Sequence, residues 1–185
     1  MHRTTRAAGA ALAAAAVLGA VACGSKSAQP STPTALAPSS TVSLDPAIAE
    51  AREGALRAYN GYVKASAEAF RIPDPDYPAQ ADYVGDPLLT RLKHSLRQMV
   101  SRGTMSVGTP TYTPKAAKVD LRATLPTVTV EDCVDETNWS LVMKNNTSSP
   151  IPVPGNRRYM ANSTVVLYQG KWLVTESAGD RAKTC

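Results

Sequence analysis

Histidine is almost missing from this chain: there are two in 185 residues, and only His94 lies beyond the extreme N-terminus. Cysteine is scarce as well. Cys23, Cys133 and Cys185 are too far apart for the paired-ligand spacing of a zinc site, so the sequence implies neither a metal nor another cofactor. Aromatic residues make up 5% of the chain, with a single phenylalanine, and no dense Lys/Arg run accompanies them. Nucleic-acid binding therefore lacks both its electrostatic track and its stacking platform. The formal net charge of +5 falls to +3 once Arg3 and Arg6 are removed with the first 22 residues, a balance that at most helps a domain rest near anionic headgroups. No internal repeat is visible.

What is present begins with Cys23. His2, Arg3 and Arg6 precede sixteen uncharged residues, mostly alanine, which end in Leu18-Gly19-Ala20-Val21-Ala22 just before that cysteine. A basic start, a short apolar run, small residues and a cysteine read as a lipoprotein signal peptide over residues 1–22, with Cys23 as the new N-terminus carrying diacylglycerol on its sulfur. A membrane span needs about 20 predominantly apolar residues, and this run is shorter and alanine-rich. An ordinary cleaved signal also fits, with Ala20-Val21-Ala22 as the cleavage site and an unmodified Cys23 thiol. Ala20 stands three before the cysteine, where lipoprotein signals usually carry leucine.

Cysteine arithmetic agrees with lipidation. An odd count in an exported protein leaves one thiol over, and assigning Cys23 to lipid leaves Cys133 and Cys185 as an even pair in an oxidising compartment. A disulfide between them is the expectation; two unpaired thiols are the alternative. Residues 23–44 then supply the lipidated cysteine and a tether. That stretch is nearly all Ser, Thr, Pro, Ala and Gly, with no aromatic side chain, too little apolar surface to offset the entropy of ordering. Residues 45–185 are the right size for one domain with one core.

The domain opens with helical spacing. Asp45 is placed to cap a helix over residues 46–70, with Pro46 at its first position; Ile48, Ala51, Ala55, Tyr59, Tyr62, Val63 and Phe70 mark its apolar face. Three prolines end it, residues 78–83 predict a short second helix, and Asp86-Pro87 opens a third with a stripe of Leu88, Leu89, Leu92, Leu96, Met99 and Val100. His94 falls roughly opposite that stripe, which predicts a solvated side chain. From Thr104 the period becomes two. Residues 118–125, 127–131, 138–144, 157–168 and 171–176 predict strands, the last two joined by a tight turn at Gln169-Gly170, and residues 145–155, with three prolines, predict an exposed loop.

Helices followed by antiparallel strands make an α+β plan. Ala58-Tyr59-Asn60-Gly61-Tyr62, Asp132-Cys133-Val134-Asp135-Glu136-Thr137-Asn138-Trp139, Gly170-Lys171-Trp172 and the terminal cysteine together resemble small exported lipoproteins of high-GC Gram-positive bacteria. The resemblance implies a nuclear transport factor 2-like cone, with the helices packed on one strongly curved sheet. It carries no activity with it, because the cone hosts isomerases and cyclases as well as proteins without catalysis.

Candidate site residues follow from alternation. Asp132 continues the period of Val128 and Val130, so an unbroken strand sends its carboxylate inward, where it needs a partner or a pocket. Tyr59 and Tyr62 lie on the buried face of the first helix and offer hydroxyls to the same space. The bland reading makes Asp132 a strand-end cap and the tyrosines core aromatics. The sequence favours an anchored extracytoplasmic lipoprotein that binds a small apolar ligand or an envelope protein without catalysis. The alternative is an isomerase, dehydratase or cyclase using an acid inside the cone.

Overall fold

A computed structural model describes residues 45–185. The signal peptide, Cys23 and the tether lie outside the described residues.

The first helix, α1 (Pro46–Arg71), starts where its chemistry requires. The Asp45 side chain accepts the Ala47 N–H at 2.9 Å, and Pro46 occupies a position that needs no amide proton. It stops at Ile72, because the residue before Pro73 is driven out of the helical region. Its buried face is built largely from small residues, among them Ala51, Gly54, Ala55, Ala58, Ala65 and Ala69. The axis can therefore approach the sheet closely. At Gly54 the Trp172 ring occupies the space a Cβ would need, so only glycine fits there.

A single turn, α2 (Gln80–Tyr83), leads to a parallel bridge between Val84 and Val174. The third helix, α3 (Leu88–Arg102), is fixed at its start by Asp86, which accepts from both the amide and the hydroxyl of Thr90. Leu88 and Leu96 are buried, and Leu89, Leu92 and Met99 are half-buried. Val100 is exposed, about 120° around the helix from Leu88. Gly103 ends the helix in a left-handed conformation (φ 65°), donating to the Met99 and Val100 carbonyls. Nothing crowds its missing side chain. Gly103→Ala should therefore cost only the backbone strain, about 1 kcal/mol, and lower Tm by about 3 °C in a thermal melt.

Seven strands follow: β1 (Thr104–Gly108), β2 (Lys115–Asp120), β3 (Thr127–Asp135), β4 (Trp139–Met143), β5 (Asn146–Ile151), β6 (Arg158–Tyr168) and β7 (Lys171–Asp180). They form two antiparallel sheets, ordered β2-β3-β6-β7 and β1-β4-β5. The helices pack on these sheets, so the α+β plan holds.

Three expectations about the strands need correction. One continuous sheet was expected, and two are present. The strand expected over residues 118–125 ends at Asp120, because that carboxylate captures the amides of Arg122 and Ala123 and turns the chain. The loop expected over residues 145–155 contains β5, which pairs with β4. Its side chains are exposed except for a half-buried Ile151, so it carries no apolar alternation, and its Pro150 sits on the edge strand where proline is tolerated. The β6–β7 turn does form at Gln169 (φ 49°) and Gly170 (φ 78°).

The core lies between α1 and the four-stranded sheet. Ala51, Ala55, Tyr59 and Val63 meet Val128 and Val130 of β3, Val165 of β6 and Val174 of β7, with Leu88 closing one side.

Candidate functional site

Along β3 the buried positions are Val128, Val130, Asp132 and Val134, and the period continues to Glu136 just beyond the strand. A two-residue repeat of this kind puts all five side chains on one face, so two carboxylates enter the interior with the valines. Asp132 is 1% exposed and Glu136 is 7% exposed. Each has a tyrosine of its own.

The Tyr59 hydroxyl donates to Asp132 Oδ2 at 2.7 Å, and the Thr113 amide donates to Oδ1 at 2.6 Å. Asp132 therefore joins α1 to β3 and also ties down the segment entering β2. Tyr62, one helical turn from Tyr59, meets it edge to face with ring centroids 5.8 Å apart. The site residues read from the sequence thus come together, and they are engaged with one another.

A second cluster was not singled out from the sequence. The Tyr159 hydroxyl donates to Glu136 Oε1 at 2.7 Å, and Arg181 pairs with Oε2 at 2.5 Å while its guanidinium lies 4.2 Å above the Tyr159 ring. Arg157 donates to the carbonyls of Glu136 and Trp139. The signal for Glu136 was available in the alternation that pointed to Asp132. Arg181 carries no such periodic signal, because it lies beyond the last strand.

Burial pushes the Asp132 carboxyl above the usual carboxylate range, against the opposing pull of the Tyr59 hydroxyl and the Thr113 and Cys133 amides. Burial first, and Asp132 second, hold the Tyr59 hydroxyl far above its ordinary value. Burial also raises Tyr62, Tyr112 and Tyr159. The tyrosine hydroxyls stay protonated at neutral pH, and those of Tyr59 and Tyr159 donate to Asp132 and Glu136. Each Asp132 oxygen already accepts one hydrogen bond and the residue is 1% exposed, so a substrate would have to displace a donor or use a remaining lone pair to reach it.

Of the three residues singled out from the sequence, Asp132 borders a hollow. One hollow of the described surface, about 230 Å3, sits between the second half of α1 and the segment after β1, with Val63 and Tyr112 as apolar walls and Lys64, Glu68 and Arg71 at its rim. Another, beside the disulfide, is lined by Asp132 together with Thr113, Lys115, Glu131 and Met160 around Cys133 and Cys185. Tyr59 and Tyr62 line neither of these two hollows. Cys133 and Cys185 are bonded, with Cα atoms 5.8 Å apart. His94 is exposed and paired with Gln98. Among the described residues no three His, Cys, Asp or Glu side chains gather as metal ligands. No helix there is long and apolar enough to cross a membrane.

No family model and no curated protein matches the chain. Among solved structures it is similar to the intermembrane space region of the chloroplast protein ARC6, at 14% identity and a TM-score of 0.41, over 76% of this chain and 99% of that one.

Proposed function

We propose that this chain is a membrane-anchored extracytoplasmic lipoprotein whose domain binds and does not catalyse, holding a small apolar ligand or an envelope protein at its surface. On this reading it is one of the small exported lipoproteins of high-GC Gram-positive bacteria, and its helices and sheets are a variant of the nuclear transport factor 2-like cone. The observation that carries the non-catalytic part is the engagement of Asp132: Tyr59 and Thr113 each donate to one of its oxygens and leave it 1% exposed, although it borders the hollow beside the disulfide. An isomerase, dehydratase or cyclase working from inside the cone would need that acid open to a substrate. Anchoring is supported by the order of residues around Cys23 and by the Cys133–Cys185 disulfide, a bond that persists in oxidising compartments.

Two acyl chains at about 0.8 kcal/mol per buried methylene hold a protein stably where one chain is marginal. Cys23→Ala should release the protein into the medium or leave it unprocessed, as membrane fractionation and the intact mass of the N-terminal peptide would show. A wild-type protein found soluble with a free Cys23 thiol would defeat the assignment.

A further inference from the structure

Three exposed apolar side chains collect at the end of the domain where residue 45 enters it. Leu121 (37% exposed) and Leu125 (42%) sit on the β2–β3 connection, and Tyr168 (49%) stands at the start of the β6–β7 turn. These two connections meet the first turns of α1. A single hollow there is lined by Ala47 and Glu50 from the helix, Leu121 and Pro126 from one connection, and Gly170 and Trp172 from the other. Arg57 borders the same hollow, and Arg122 and Lys171, both exposed, belong to the two turns.

The resulting end has two exposed leucines on one connection and, on the other, Tyr168 and Trp172 on opposite faces of the hairpin, while Arg122, Lys171 and an Arg57 paired with Glu53 stand around it with Glu50. Aromatic rings with a polar atom settle at the level of lipid headgroups, and long basic side chains reach from there to water and phosphate. Position on the chain names the occupant. Twenty-one residues, 24–44, separate Cys23 from Asp45, and a chain of that length reaches at most about 75 Å. An anchor at Cys23 therefore keeps this end of the domain near the bilayer and presents it at high effective concentration.

We infer that the end formed by the β2–β3 connection, the β6–β7 turn and the start of α1 docks on the lipid surface, so that the anchored domain lies in one orientation. This inference rests on the anchoring proposed above.

The test uses the lipidated mature protein in phosphatidylglycerol/phosphatidylcholine vesicles, with hydrogen exchange read by mass spectrometry. Amides in residues 119–127 and 167–173 should exchange at least about fivefold more slowly with vesicles than without them. Replacing Leu121, Leu125 and Tyr168 together by serine should restore fast exchange while the protein still floats with the vesicles. A floating wild-type protein with no slowing in these segments, or with slowing over residues 145–155 instead, overturns the docking surface and leaves the anchor standing. A protein that does not float and whose mass shows a free Cys23 thiol overturns the anchor, and the docking inference falls with it.

Discussion

Replacing Cys133 and Cys185 together by serine should lower Tm by more than about 10 °C. The two residues are 52 apart in sequence, and in the chain-entropy model closing such a loop stabilises by about 4 kcal/mol. That is a large share of the 5–15 kcal/mol typical of a whole domain. The bond also secures the chain's last residues. Lys183 accepts the Met160 amide, Arg181 accepts the Asn156 amide, and the Arg181 side chain reaches Glu136. Without the crosslink these contacts must hold the C-terminus alone. The double variant should therefore lose protection against exchange first over residues 156–161 and 180–185. Differential scanning calorimetry of the oxidised protein and the variant would check the shift, and two free thiols titrated in the native oxidised protein would dispose of the crosslink.

The second large effect concerns Tyr59→Phe, and it should depend on pH. Removing the hydroxyl leaves Asp132 Oδ2 buried without its donor, and a hydrogen bond to a charged group contributes roughly 1.5–3 kcal/mol. Burial already raises the Asp132 pKa in the fold, so the native state favours the protonated carboxyl. That contribution is fully present below the unfolded value, about 3.9, and is lost as the pH rises through the raised native value. The hydroxyl works against the rise by stabilising the ionised form. Its loss should therefore cost about 2 kcal/mol at pH 7 and about half of that near pH 4, measured by urea unfolding. Asp132→Asn should keep the Thr113 contact through its amide oxygen and remove the buried charge. Its stability should lie within about 1 kcal/mol of wild type, without the same dependence on pH. Equal costs of Tyr59→Phe at both pH values would mean that Asp132 does not change protonation in the fold.

The helices were largely legible in the sequence because their signals are local. Asp45-Pro46, the proline cluster after Ile72 and the repeat of Leu88, Leu92 and Leu96 each fix a start, a stop or a face within a few residues. β3 and β6 were legible by alternation, and the inward aim of Asp132 came with it. β5 was not legible, since its exposed Asn146-Thr147-Ser148-Ser149 run is held by backbone pairing and presents no apolar face. The division into two sheets was hidden for a related reason: strand partners are chosen over long sequence distances, and β1 finds β4 more than thirty residues away. The Thr113 amide that closes Asp132 lies nineteen residues upstream, with nothing in the intervening sequence to announce the contact. Alternation placed the acid inside; it carried no information about whether the acid would meet a substrate or a backbone amide.

The bond between Tyr59 and Asp132 is structural, so that binding takes place at the surface and does not depend on the Asp132 carboxylate. Native mass spectrometry of the wild-type protein and Asp132→Asn, released gently from the membrane, tests it most directly. The account predicts that the two proteins carry the same bound species, or none, at the same occupancy. A small molecule held stoichiometrically by the wild type and lost from Asp132→Asn would contradict it, and would place a ligand site inside the fold.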